Sequence, residues 1–368
     1  MKHIYFTLLV VGLFMTQPVL NAQIADTLSP YVNNGAYSIV SDSITVSSKK
    51  VVIYRPDAVP GDNNKYPVLI FHPGANALFS SAITVHTYDL FMKHLATYGY
   101  VVFVIDETSA GMPSGTTIEA VHDWFKTNVA NSSSWVYTYA DSSKVLVGGH
   151  SLGGVDATSC IVDRPNQIKG IVYFASYPSN NILLPQNVSS YKGKVLDLSG
   201  ADDASSTPAT CRTGYDSYTS ANCAFWVSIS GLNHGGFGDY VDTSQPVGPI
   251  GRKDATAIIR HYLVSFMESQ FKNNNVALAN FENPVLRPDS TADFENSCTI
   301  TAIEEENILA ENVLFPNPAK DLITIKTKVD NKMSNIVITD ITGKNITALI
   351  KIEEKNSKEF ILNLSAIN

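Results

Sequence analysis

One stretch of this 368-residue chain combines residue types that could carry out acyl transfer. Residues 144–154 read Lys-Val-Leu-Val-Gly-Gly-His-Ser-Leu-Gly-Gly. That is a short apolar strand, then Gly-x-Ser-x-Gly, then the start of a helical stretch. A sharp strand-to-helix turn of this kind holds its serine in a strained backbone conformation at the C-terminal end of the strand. Gly149 and Gly153 flank Ser151 because side chains there would collide with the neighbouring strand and helix. The turn lifts the Ser151 hydroxyl clear of the backbone, and the helix N-terminus sets main-chain N–H groups beside it. A bare Gly-x-Ser-x-Gly occurs often by chance, as a glycine-rich turn around a solvated serine. Its position directly after an apolar strand, with Gly154 following, makes Ser151 the candidate nucleophile.

A serine hydroxyl needs a base. For a serine at such an elbow the acid and then the histidine follow it along the chain. Two histidines follow Ser151. His261 lies inside a helical stretch, Ile-Arg-His-Tyr-Leu, and reads as a surface or packing residue. His234 lies in Gly-Leu-Asn-His-Gly-Gly-Phe-Gly, a loop just past an apolar strand, where a base can hang over the sheet edge. His234 is therefore the expected base. The acid should end the preceding strand, at Val-Leu-Asp-Leu-Ser-Gly-Ala-Asp-Asp over 195–203. Asp203, three residues past Gly200, is the first choice; Asp202 is the alternative, and Asp197 within the strand reads as structural. The acid would orient the imidazole and stabilise its cation.

The oxyanion of a tetrahedral intermediate needs two backbone donors. Leu152 N–H, just after the nucleophile, is one. The loop Phe-His-Pro-Gly-Ala-Asn over 71–76 should supply the other through Ala75 N–H, with Gly74 allowing the turn. His72 precedes Ser151 and reads as an anchor of that loop. Tyr177, Asn76 and His150 are the candidate substrate contacts. No metal ligand set and no cofactor are expected.

The elements that position these residues are legible as apolar runs. Strands are expected at 51–54, 68–71, 101–105, 145–147, 171–174, 195–198 and 225–229. Continuous runs of this length suit strands buried on both faces of a parallel sheet. Helical spacing recurs at 88–95, 118–125 and 254–271. The alternation implies an α/β fold with helices on both sides of a mostly parallel sheet. Residues 176–193, between two strands, carry no helical periodicity and are too short for a cap domain, which predicts an open groove. The polar stretch 273–301 reads as a peripheral wrap or a linker. Beyond it, 314–325 and 336–344 alternate as strands with polar turns, a small β-sandwich-like module.

In order along the chain, "FHPGA", "GHSLGG", "SGADD" and "GLNHGGFG" resemble the cutinase-like polyester hydrolases and the dienelactone-hydrolase-like esterases of the α/β-hydrolase fold. The resemblance spans about residues 67–271. It implies a serine esterase with Ser151, Asp203 and His234 as triad and Ala75 and Leu152 as oxyanion donors. The chain departs from polyester hydrolases in having Leu152 where methionine is usual and Ala75 where an aromatic residue is common. Its implied substrate is a bulky or polymeric ester. The alternatives are a small ester of the dienelactone-hydrolase type, a peptide for a secreted peptidase of the same fold, or none for an inactive surface adhesin. The Pro-Asn-Pro-Ala-Lys-Asp start and "ITDITGK" resemble the C-terminal sorting domain of the type IX secretion system, over roughly the last 55 residues. The type IX machinery is then the expected partner. The final Gly-x-Tyr strand of such domains is missing, so the module reads as truncated.

The N-terminus agrees with export. Met1-Lys2-His3 precedes an apolar run over 4–15, Gln17-Pro18 breaks it, and Ala22 offers a cleavage position. The run falls short of the ~20 residues of a spanning helix. The expected organisation is a leader at 1–22, a catalytic domain at 23–275, a peripheral segment at 276–306 and the sorting module at 307–368. The net charge of −8 argues against nucleic acid as partner; a secreted or cell-surface monomer is expected. Export permits disulfides. Of the four cysteines, Cys211 and Cys223 are closest in sequence and are the expected pair, although four cysteines allow three full pairings.

Overall fold

The computed structural model describes residues 29–57, 64–74, 83–106, 115–179, 184–239, 246–282, 293–298, 312–315, 321–327, 338 and 347–365. The expected leader at 1–22 and the oxyanion and substrate candidates Ala75 and Asn76 lie outside these residues. The chain divides into two compact units, one ending at Ser297 and the other beginning at Cys298.

The first unit is built on nine strands: β1 Ile39–Val46, β2 Lys49–Pro56, β3 Tyr66–His72, β4 Val101–Asp106, β5 Ala140–His150, β6 Gly170–Phe174, β7 Lys194–Gly200, β8 Cys223–Ile229 and β9 Asp293–Asn296. Their order in the sheet is β1-β2-β4-β3-β5-β6-β7-β8-β9. The run from β4 through β8 is parallel. The β1–β2 pair and β9 are antiparallel additions at the two edges. Every apolar run read from the sequence is one of these strands. β1 escaped because half of its residues are exposed and polar, and it is held by a tight hairpin to β2.

Among the described residues the α-helices interleaved with the strands are α1 Asp89–Thr97, α2 Thr117–Val129, α3 Trp135–Tyr139, α4 Leu152–Asp163, α5 Pro208–Asp216, α6 Gly251–Lys272 and α7 Asn275–Glu282. Alternate residues of each central strand point to opposite faces. One set, including Val68, Ile70, Val101, Phe103, Val147 and Tyr173, forms a core with Ile118, Val121 and Phe125 of α2 and Ala157, Cys160 and Ile161 of α4. The other face carries aromatic contacts such as Phe91 of α1 with Phe174 and Phe266 of α6 with Phe225. Both faces are covered, which is why the strands read as unbroken apolar runs. Among the described residues no helix is long and apolar enough to cross a membrane.

After α6 the described elements of the first unit are α7 and β9, and β9 pairs with β8 at the sheet edge. Phe281 of α7 packs 4.4 Å from Phe225, ring centre to ring centre, and Phe294 of β9 packs 5.6 Å from Phe281. Phe281 and Phe294 thus pack α7 and β9 against the edge strand β8. This edge corrects the expected disulfide. Cys211 is a free, buried thiol on α5, as is Cys160 on α4, while Cys223 and Cys298 are disulfide-bonded. The β8–β9 ladder sets Phe225 opposite Asn296, and Ser297 N–H donates to Ala224 O at 2.8 Å. The Cys211 thiol instead turns inward and donates to Ser206 O.

The second unit is a four-stranded antiparallel sheet in the order β10-β11-β13-β12, with β10 Asn312–Phe315, β11 Leu322–Thr327, β12 Lys351–Asn356 and β13 Glu359–Asn363. Ile350, Phe360 and Leu362 form its core, with Ile323, Ile325, Ile338 and Ile352 packed against them. The strand expected around 336–344 lies outside the described residues, Ile338 excepted.

Candidate active site

Strand β5 ends at His150 and helix α4 begins at Leu152. Ser151 between them has φ 50° and ψ −123°. A non-glycine residue at positive φ is strained and must be held by its surroundings. Three main-chain bonds hold it: Ser151 N–H donates to Phe174 O at 2.9 Å, Gly154 N–H donates to Ser151 O at 2.9 Å, and the Ser176 hydroxyl donates to the same oxygen at 2.7 Å. The glycines are required by space. A Cβ on Gly149 would lie 2.2 Å from the carbonyl carbon of Gly153, and one on Gly153 would lie 2.0 Å from His72 O. Ser151 is itself half-buried. Leu152 N–H opens α4, where the first turn's N–H groups have no partner within the helix.

His72 lies at the end of β3, buried, with Nδ1 donating to Pro73 O at 2.7 Å. Its Nε2 is 3.9 Å from Oδ2 of Asp156. Asp156 in turn accepts from Thr117 and Ile118 N–H at 3.2 and 2.8 Å, so an acid of α4 caps the start of α2. Just beyond His72, Gly74 approaches the elbow. A Cβ on Gly74 would lie 3.4 Å from Cβ of Ser151.

Past β7 the chain turns so that Asp203 is buried and Asp202 is exposed. Oδ1 of Asp203 accepts from Ser205 and Ser206 N–H at 2.7 and 2.9 Å. His234 Nδ1 donates to Oδ2 of Asp203 at 2.7 Å. The two loops are stitched together by Ala201 N–H to Ile229 O and Asp202 N–H to Leu232 O, at 2.9 and 3.0 Å. His234 opens a short 3-10 turn, His234–Phe237, directly after β8. Arg252 of α6 donates to Gly235 O and Gly236 O, both at 3.1 Å, and so pins that turn to the helix.

Residues 68–245 match the alpha/beta hydrolase family, over the strands that carry Ser151, Asp203 and His234. Residues 313–368 match the secretion system C-terminal sorting domain, which indicates a secreted or cell-surface protein that engages the type IX secretion machinery. No curated protein matches the chain.

Two of the expected substrate contacts are described in the hydrolase domain. Tyr177 follows β6 and is half-buried against α5, where a Cβ on Gly214 would lie 2.9 Å from its own Cβ. His150 is fully buried, which corrects its reading as a substrate contact. Its ring packs between His234 and Phe237, with centroids at 4.6 and 5.9 Å, and its Nδ1 is 2.8 Å from the Tyr88 hydroxyl. Burial first, and then the nearby charge of His234, hold the His150 imidazole well below the usual histidine range. Tyr88, Ser176 and Arg252 were not singled out by sequence. They support the site from three different elements, and nothing in their local spacing marks them. His261, the discarded base, is buried on α6, with Nδ1 2.6 Å from the Ser29 hydroxyl. Among the described residues no group of three or more His, Cys, Asp or Glu side chains could hold a metal ion.

Proposed function

We propose that the hydrolase domain is a serine carboxylic-ester hydrolase acting through an acyl-enzyme. The observation that carries this reading is the 2.7 Å bond between His234 Nδ1 and Asp203, made beside a strained serine elbow. That bond favours the tautomer with its proton on Nδ1 and a basic Nε2. In the proposed reaction Ser151 Oγ gives its proton to His234 Nε2 as it bonds to the ester carbonyl carbon. The carbonyl oxygen becomes an oxyanion, with Leu152 N–H as one donor and Ala75 N–H as the proposed second. His234 returns the proton to the alkoxy oxygen as the C–O bond breaks and the alcohol leaves. Water, deprotonated by His234, then releases the acid and restores Ser151.

The proposed substrates are bulky or polymeric esters. In support, the described residues between β6 and β7 contain no helix that could form a cap, only a bridge between Ser179 and Pro185. Export supports it too, since a polymer is met outside the cell. The test has two steps. A fluorophosphonate should label Ser151 in the full chain and not in Ser151→Ala. The labelled-competent protein should then hydrolyse short nitrophenyl esters and release soluble products from a polyester film. Labelling without film hydrolysis would restrict the activity to small esters, and no labelling would remove the proposal.

A further inference from the structure

His150 stands one residue before the nucleophile with its ring enclosed on all sides. On one side is Tyr88, itself buried at the start of α1, whose hydroxyl is 2.8 Å from His150 Nδ1. The same hydroxyl oxygen accepts from Gly74 N–H at 3.1 Å. Gly74 presses on the elbow: a Cβ there would lie 3.2 Å from His150 Nδ1. On the other side the His150 ring lies 4.6 Å from the His234 ring, tilted by 38°. Gly74, the serine elbow and the His234 turn therefore converge on one imidazole.

We propose that His150 is a neutral positioning residue, and that the chain Gly74 N–H to Tyr88 O–H to His150 Nδ1 holds Gly74 and the serine elbow in register with His234. The proposal rests on the ester-hydrolase reading only in that its kinetic consequence falls on that reaction. Tyr88 oxygen receives the Gly74 proton, so its own proton is directed to His150 Nδ1. The ring proton then sits on Nε2. A neutral ring at this place matters during turnover. His234 becomes a cation when it takes the serine proton, and a second cation against it would oppose that step. Burial and the Tyr88 hydrogen bond both work against protonation of His150. Enclosure also rules it out as a group that touches substrate.

The test uses the full chain and three variants: Tyr88→Phe, His150→Asn and His150→Leu. In the wild type, nitrogen NMR of labelled histidine should show His150 with bare Nδ1 and protonated Nε2 from roughly pH 5 to 9. This readout needs no substrate, so it stands or falls apart from the ester-hydrolase reading, which fluorophosphonate labelling tests. Tyr88→Phe should lower kcat for nitrophenyl acetate about tenfold, with KM within about twofold. The carboxamide oxygen of His150→Asn can still accept from Tyr88, so this variant should keep most of kcat. His150→Leu, of similar size, should lose about tenfold or more. Protonated Nδ1 or a cationic His150 in that pH range would overturn the proposal. So would wild-type kcat in Tyr88→Phe, or equal impairment in the asparagine and leucine variants. If Tyr88→Phe does not fold, the asparagine–leucine pair and the tautomer decide.

Discussion

His234 Nδ1 and Asp203 Oδ2 lie 2.7 Å apart although 31 residues separate them in the chain. The other Asp203 oxygen is held by two backbone N–H groups, so the carboxylate cannot rotate away. Ser151→Ala and His234→Ala should therefore each leave the fold intact and cost on the order of 10⁴-fold or more in kcat, since the two act as one unit. Asp203→Ala should also be severe, while Asp202→Ala, at an exposed position, should stay near wild type. Steady-state rates on nitrophenyl acetate check this. A dead Asp202→Ala beside an active Asp203→Ala would reverse the assignment of the acid.

His261→Ala should separate stability from catalysis. The side chain is fully buried and bonded to Ser29. Its removal should cost about 1–3 kcal/mol of stability by leaving a buried hydroxyl less well paired. The turnover of the folded protein should be unchanged. Denaturant melts and kcat measured side by side would show it; a fall in kcat without a fall in stability would contradict the placement.

Peptide mapping of the unreduced protein should recover Cys223 linked to Cys298, with Cys160 and Cys211 alkylated only after unfolding. The bridge closes a long loop, and the chain-entropy account values it at about 4 kcal/mol. Cys298→Ser should lower stability accordingly, and Cys211→Ala should not mimic it. A Cys211–Cys223 peptide in the map would contradict the structure.

Asp197 should make stability fall as pH rises. Its carboxyl is fully buried in β7, with no hydrogen-bond partner for either oxygen among the described residues. Burial raises its pKa well above the ordinary carboxylate value, so the folded state holds the proton that the unfolded chain releases. The stability associated with that proton is fully present below the unfolded pKa, about 3.9, and is lost as pH climbs toward the folded value. Asp197→Asn should therefore gain in Tm over wild type at neutral and alkaline pH, and the gain should shrink below about pH 4. A difference independent of pH would show that Asp197 is not protonated in the fold.

Ending the chain at about residue 310 should leave esterase turnover intact and abolish export in the native host. The proposed catalytic residues lie in the first compact unit, and the sorting domain has its own core. Activity of the purified shortened protein, together with its location in fractionated cells, tests both halves. Loss of turnover would mean that the second unit completes the hydrolase.

What the sequence determined by itself was local. The elbow is contiguous, because Gly149, Ser151 and Gly153 must be close in the chain to make one turn. The core strands are legible because burial on both faces demands unbroken apolar runs. His234 could be reached by order along the chain and by its loop after a strand. The tertiary structure decided whatever depends on which way a side chain turns or what returns to cover it. Asp202 and Asp203 are chemically alike neighbours, and only the turn past β7 buries one against His234 and exposes the other. His150 adjoins the proposed nucleophile Ser151 in sequence, yet Tyr88 and Phe237, distant in the chain, enclose it. Cys223 and Cys298 are disulfide-bonded although far apart in the chain, while nearby Cys211 stays a free thiol buried on α5. In each case the deciding contact is long-range, and residue type and spacing along the chain carry no record of it.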